Sequence, residues 1–393
     1  MLMTDLPLNI CSKEKCTGCG LCVDVCSVDA IGFSEDDRGF IYPIIDDSKC
    51  IQCGKCEKLC PQNNEIIGNN IIETFAAWNK NSERRKIASS GGIFSLLAEE
   101  IINNGGCVAG VQWGENVSPV NTITDSMDDL RLYYGSKYVQ SDTNCIYSKI
   151  KKMLDKGKQV LFSGTPCQNA ALNSYLEGSY SNLVQVDLVC HGVPSSSSFH
   201  RYLKEIDSRK KVSDVKFRVK NPFQDYFYVT ISYEDGTEKR DYAVNNSYFQ
   251  LFNSGFTLRD SCHKCKYACM RRQSDITLAD YWGFVPHNLK MSDFNKGVSL
   301  VTINTEKGKS IFQKIKTNCI YEQHPIEIST ASNKCFRESY SIDIELLDEF
   351  WNDYKMGLSF DRLLEKYYPN HSVVPKGLTI SRLKRKYRWM FKR

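Results

Sequence analysis

Hydrophobic positions along the 393-residue chain change their period several times, and those changes divide it. Up to Cys60-Pro61 no regular period holds, and the polar stretch Gln62 to Asn70 with Gly68 reads as a linker. Ile71 to Trp78 is then strand-like, and after Ser89-Ser90-Gly91-Gly92 the residues Ile93, Leu96, Leu97, Glu100 and Ile101 follow helical spacing. Strand and helix alternate from there: strand over Gly106 to Trp113, helices over Asp128 to Tyr134 and Tyr147 to Lys156, strand over Gln159 to Ser163, helix over Asn169 to Leu176, strand over Leu183 to Val189. Alternation of this kind predicts an α/β domain. Between Val212 and Tyr242 the alternating Val215, Phe217, Val219 and Phe227, Val229, Ile231, Tyr233, with Asp235-Gly236 as a turn, predict antiparallel strands, a β-rich extension of that domain. Ile276 to Ala279 and Val298 to Ile303 read as further strands, and Glu345 to Tyr354 and Ser359 to Tyr367 as C-terminal helices. The divisions are residues 1–68, cysteine-rich; 69–340, α/β; 341–375, helical; and a basic tail over 376–393, where Ile380, Leu383, Tyr387 and Met390 or Phe391 recur at the spacing of an amphipathic helix.

A hydrophobic content of 41% allows a sizeable core, and composition matters next for its cysteines. Nine of the eighteen lie between Cys11 and Cys60 and three more between Cys262 and Cys269. The start, Met1 to Ile10, lacks a basic and then apolar leader, and no apolar run approaches the ~20 residues that span a bilayer, so a cytoplasmic protein is expected. In that reducing compartment clustered cysteines point to metal or redox chemistry instead of disulfides. The net charge of +5 is local: eight of the 51 basic residues fall after Pro375, leaving 43 against 46 acidic ones. No nucleic-acid partner is expected; the basic tail suits reversible peripheral contact with anionic membrane.

Cys16-x2-Cys19-x2-Cys22-x3-Cys26 recurs as Cys50-x2-Cys53-x2-Cys56-x3-Cys60-Pro61. This is the bacterial ferredoxin spacing, in which the fourth cysteine of each run ligates the other cluster. One 4Fe-4S cluster is assigned to Cys16, Cys19, Cys22 and Cys60, the other to Cys50, Cys53, Cys56 and Cys26. Gly18, Gly20 and Gly54 permit the tight loops this requires. A pair of structural zinc sites is the alternative use of such pairs. Ser27 stands where a proline often follows the first run, and Cys11 falls outside the pattern as a small buried hydrophobe.

Further cysteines occupy turn-like settings: Gly164-Thr165-Pro166-Cys167-Gln168 and Cys190-His191-Gly192-Val193-Pro194, each after a strand, and Cys262-x2-Cys265-x3-Cys269. Strand ends of an α/β sheet are where such folds place their sites. With the segment Cys262 to Gly283, Ser89-Ser90-Gly91-Gly92 and Gly135-Ser136-Lys137-Tyr138-Val139-Gln140-Ser141, these motifs resemble the family of coenzyme F-420 hydrogenase/dehydrogenase beta subunits, here fused to a ferredoxin domain. The likeness runs over roughly residues 10 to 340, and five motifs in the right order make it specific.

The resemblance implies an FAD-dependent oxidoreductase with a third 4Fe-4S cluster beside the flavin, held by Cys167, Cys190, Cys262 and Cys265. Spacing alone would instead recruit Cys262, Cys265 and Cys269 as a contiguous triplet, or make the CxxC a zinc knuckle. For the flavin, Ser89, Ser90, Gly91 and Gly92 lead into a helix whose free N–H groups favour a pyrophosphate. Ser136, Lys137, Tyr138 and Gln140 offer a cation and an amide to polarise the ring system, and Thr165, Asp275 and Thr277 add polar groups near the proposed cluster. Lys137 and His191 are the candidate catalytic groups, His191 as a proton shuttle. The carrier is expected to be ferredoxin, flavodoxin or the deazaflavin coenzyme. A non-catalytic electron-transfer subunit docking on a separate catalytic partner is the other function these residues allow.

Overall fold

The computed structural model describes residues 10–220, 227–284 and 295–370. Among these residues the strands are β1 Ile31–Glu35, β2 Ile41–Ile45, β3 Glu73–Asn79, β4 Cys107–Trp113, β5 Pro119–Thr124, β6 Val160–Ser163, β7 Leu183–Leu188, β8 Val212–Val219, β9 Tyr228–Tyr233, β10 Glu238–Tyr242, β11 Ile276–Asp280, β12 Ser299–Ile303 and β13 Cys319–His324. Eight of them form one mixed sheet in the order β13-β3-β12-β11-β7-β6-β4-β5. The middle four, β11, β7, β6 and β4, run parallel, and antiparallel strands flank them on both sides.

Strand β3 shows why the sheet needs cover on both faces. Phe75 and Ala77 enter one core with Leu97 and Ile101 of the helix Ile93–Asn103, while Ala76 and Trp78 enter another with Leu300 and Phe336. Alternate residues point to opposite faces, so a strand buried on both reads as the continuous apolar run Phe75 to Trp78. β8, β9 and β10 form a separate antiparallel sheet. Its Val215, Phe217, Val229 and Ile231 share a core with Phe199, Tyr248 and the C-terminal helices Ile344–Lys355 and Phe360–Tyr367 through Phe350, Trp351 and Phe360.

The cysteine-rich segment folds around the hairpin β1–β2, which separates the two cysteine runs. Its Phe40 and Tyr42 belong to that same core, with the Phe40 and Trp351 rings 5.9 Å apart edge to face. Arg38 makes a paired contact to Asp260 at 2.7 and 2.6 Å across the same junction. Packing therefore crosses both residue 68 and residue 340, although sequence character changes at each. Sequence reading does not register the hairpin, the edge strands β5 and β13, or the helices Ser196–Ile206, Ser247–Asn253 and Glu306–Ile315. β5 opens on proline and is buried only at alternate positions, a weak signal from one strand alone. No helix of the described residues is long and apolar enough to cross a membrane. The amphipathic tail helix expected over 376–393 lies outside the described residues.

Candidate functional site

Each cysteine run begins its tight loop the same way. Gly20 and Gly54 sit in the left-handed region at φ 76° and 70°, each starting a one-turn helix, Leu21–Asp24 or Lys55–Lys58. That conformation strains any residue with a Cβ. At Gly20 a Cβ would also stand 2.0 Å from Thr143 Oγ1. Cys16, Cys19, Cys22 and the distant Cys60 line one small cavity of about 20 Å³, and Cys11 joins them. Burial pushes the Cys19 thiol up to about 12 and raises Cys22 also. Cys16 and Cys60 are held lower, at about 6 and about 7, chiefly by a hydrogen bond from the Cys11 thiol. Cys11 thus belongs to this inner set's surroundings, which its position outside the repeat does not reveal.

The other set faces outward. Cys53 is exposed beside exposed Ile51, and burial raises the Cys56 thiol with smaller contributions from Cys53 and Cys50. Cys26 accepts the Ala30 N–H at 3.2 Å.

The C-terminal ends of the parallel strands carry the next cysteines. β6 runs into Gly164-Thr165, and the helix Pro166–Leu176 starts with proline at its first position, so Cys167 stands at a helix N-terminus. The Thr165 hydroxyl lies 3.1 Å from Cys167 Sγ. β7 runs into Val189-Cys190, and the turn Asp260–His263 supplies Cys262. Burial raises all four of Cys167, Cys190, Cys262 and Cys265, and each of the last three is raised further by thiolates of the same group. The fold thus brings together the dispersed quartet. Cys269 stands apart, its thiol donating to the Arg271 carbonyl at 3.4 Å.

No three His, Cys, Asp or Glu side chains of the described residues converge on a single metal ion. A cubane takes its thiolates at separate corners and does not need them to converge on one point.

A cavity of about 670 Å³ opens along the same strand ends, within the roughly 300–1,000 Å³ usual for cofactor pockets. Ser89, Ser90, Gly92, Ser136, Lys137, Tyr138, Gln140, Thr165 and His191 all line it, together with Cys167, Cys190 and Cys19. Three expected residues do not. Gly91 is spent on the sheet: its N–H donates to Ser299 Oγ at 2.8 Å, and a Cβ there would meet Ala77 O at 2.4 Å and Ser299 N at 2.7 Å. Because both are backbone atoms, Gly91→Ala is expected to cost about 1–3 kcal/mol, read as a lowered urea midpoint. Asp275 accepts from Gln185 N and Thr305 Oγ1, and Thr277 from Arg272 and Asn304. Asp275 precedes β11, and Thr277 faces the side of the sheet opposite to its cavity-lining neighbour Leu278.

Other lining groups are partly committed. Lys137 Nζ donates to the Leu132 and Tyr134 carbonyls at 2.8 and 3.3 Å, and burial draws its pKa down to about 8. The Gln140 amide bridges Gly18 O at 3.4 Å and Arg259 at 3.1 Å. His191 Nε2 meets Phe252 O at 3.1 Å, and burial lowers its pKa. A carbonyl partner fixes the proton on Nε2 and leaves Nδ1 as an acceptor. Arg218, paired with Asp280 and lying 4.2 Å from the Phe227 ring, adds a cation that sequence reading misses.

Residues 157–329 match the model for the C-terminal part of the coenzyme F-420 hydrogenase/dehydrogenase beta subunit, and two 4Fe-4S dicluster models match 15–64 and 42–93. The chain carries a domain matching the C-terminal part of the coenzyme F-420 hydrogenase/dehydrogenase beta subunit, with a 4Fe-4S dicluster domain at its N-terminus. It resembles a subunit of the F(420)H(2) dehydrogenase of Methanosarcina mazei, 22% identical over 207 residues, 49% of this chain and 56% of that one. An uncharacterized protein of Methanocaldococcus jannaschii is 24% identical over 42% of this chain and 53% of its own length. The chain thus spans about half the length of these two relatives. An uncharacterized ferredoxin from the same organism is 38% identical over 58 residues, 15% of this chain and 74% of the ferredoxin. A chain of the F-420-reducing NiFe hydrogenase complex from Methanosarcina barkeri superposes with TM-score 0.45 at 17% identity, over 77% of this chain and 93% of that one.

One buried ion pair ties the two halves of the second cysteine set together. Arg272, 1% exposed, donates to Asp187 Oδ2 at 2.9 Å on β7 and to the Cys269 carbonyl at 3.1 Å. It so fixes the loop bearing Cys262 and Cys265 to the strand that ends at Cys190. Two adjacent arginines in the sequence give no sign of which one is buried.

Proposed function

We propose that the chain is an iron–sulfur flavoprotein oxidoreductase that relays electrons between a ferredoxin, flavodoxin or deazaflavin carrier and a substrate, through three 4Fe-4S clusters and FAD. Cys26, Cys50, Cys53 and Cys56 hold the outer cluster, Cys16, Cys19, Cys22 and Cys60 the inner one, and Cys167, Cys190, Cys262 and Cys265 the third. The observation that carries the reading is that Cys19 of the inner set, Cys167 and Cys190 line one cavity. Electron transfer needs its centres adjacent, and exposed Cys53 gives a carrier its approach.

FAD bound in the cavity would supply the exchange between electron pairs and single electrons. The Ser89 hydroxyl, which accepts from Ser136 N, and the N-terminus of the helix Ile93–Asn103 offer donors to its phosphates, while the Ser90 hydroxyl is spent on the Val298 carbonyl at 2.9 Å. Lys137 and Arg218 put positive charge in the wall, and the His191 imidazole lines the cavity as the candidate proton shuttle.

Anaerobic purification followed by iron, sulfide and flavin analysis tests this directly. About twelve iron atoms, matching sulfide and one flavin per chain are expected, with reduction of a soluble acceptor by the isolated chain. Zinc in place of iron, or absence of flavin, would overturn the reading. A second reading is an electron-transfer subunit serving a separate catalytic chain, as the relative named for a subunit of a dehydrogenase allows; full cofactor content with no activity toward soluble acceptors would select it.

A further inference from the structure

Arg259 is 0% exposed, and apart from the Cys16 sulfur every group it donates to is neutral. Its Nε binds Cys16 O at 2.6 Å, Nη2 binds Ile41 O at 2.9 Å, and Nη1 binds Gln140 Oε1 at 3.1 Å. The guanidinium lies 4.1 Å from the Tyr42 ring centre and 5.7 Å from that of Phe40. Among the described residues it has no carboxylate partner. Neighbouring Asp260 is taken by Arg38 at 2.6 Å, and Asp36 by Arg38 and Lys13 at 3.2 and 3.5 Å. A buried cation without a counter-charge is costly. One anion candidate is in reach: Nη2 donates to Cys16 Sγ at 3.6 Å.

We propose that Arg259 is the counter-ion of the inner cluster, a positioning residue that sets its reduction potential. The proposal rests on Cys16, Cys19, Cys22 and Cys60 being that cluster's ligands. One electron passing from the outer to the inner cluster adds a unit of negative charge at the inner site, with no proton moved and no bond broken. A fixed guanidinium at the sulfur stabilises that charge, since cluster potentials follow net charge, hydrogen bonds to sulfur and exposure. The outer set has no comparable cation among the described residues; Lys49 is exposed and bound to Asp46 at 3.3 Å. Arg259 therefore favours holding the electron next to the cavity, which Cys19 lines.

The test is a redox titration of the full chain followed by electron paramagnetic resonance, with the inner cluster identified as the signal altered in Cys60→Ser. Iron content of the unmodified protein tests the ligand assignment separately. In Arg259→Met at full iron, the inner cluster's affinity for its electron is expected to fall at least tenfold, ~59 mV for one electron, while Arg259→Lys stays within that range of wild type. An unchanged potential in Arg259→Met overturns the proposal. Should Arg259→Met lose iron, Arg259→Gln gives the same reading, because it keeps donors for the two carbonyls without charge. Loss of iron in both neutral variants with retention in Arg259→Lys shows the same dependence on charge. Loss in all three makes the guanidinium a structural clamp and overturns it.

Discussion

Cys167→Ser is expected to remove about four of about twelve iron atoms and to abolish electron transfer into the cavity, while Cys269→Ser leaves both unchanged. Cys167 stands within thiolate interaction of Cys190, Cys262 and Cys265, at the start of a helix whose N–H groups point toward it. Serine keeps the shape there and loses the thiolate, the species that binds iron. Cys269 is only four residues past Cys265, yet its sulfur is turned to the Arg271 carbonyl. Three separate segments hold the quartet, so losing one corner opens the cage to solvent at a point lined by the cavity. Anaerobic iron and sulfide analysis of the two variants decides the matter. Full iron in Cys167→Ser with loss in Cys269→Ser would establish the contiguous triplet.

The alternation of strand and helix is legible because each period is local, and so are the glycines that open the cysteine loops. The cavity is only half legible, for a reason visible in β11. Asp275 and Thr277 lie in a polar run just after a cysteine loop, which draws them into a proposed site. A strand rises ~3.3 Å per residue and alternates its faces, so Asp275 lies roughly 16 Å from Asp280 at the cavity end, and Thr277, next to Leu278 of the cavity wall, points to the other face of the sheet. The sequence shows their nearness to Cys269 and not the direction in which the strand carries them. The opposite failure concerns Cys19 and Arg259, whose roles arise from contacts with segments more than a hundred residues away. No local pattern marks an arginine as buried when its partners are backbone carbonyls of another segment. Gln140 shows both effects at once, since its place in the cavity wall is legible and its bridge to Gly18 is not.

Arg272→Met is expected to destabilise the protein by about 3–5 kcal/mol, the usual result of leaving one member of a buried ion pair alone. Asp187 is 0% exposed, and its Oδ1 already has no hydrogen-bond partner among the described residues. Removing the guanidinium would leave a fully buried carboxylate without its counter-charge on a central strand. Four contacts go with it, to Asp187, Thr277, Cys269 O and Leu188 O, and these tie the loop of Cys262 and Cys265 to the end of β7. The third cluster's iron is therefore expected to fall with stability although no sulfur has been removed. Urea unfolding measures the first effect and iron analysis the second. Asp187→Leu added to Arg272→Met is expected to restore much of the stability, because the carboxylate that incurs the cost is gone. It is not expected to restore the iron, because the loop remains untied. A midpoint for Arg272→Met corresponding to less than about 1 kcal/mol of destabilisation, with full iron, would show that the loop is held by its packing and not by this pair.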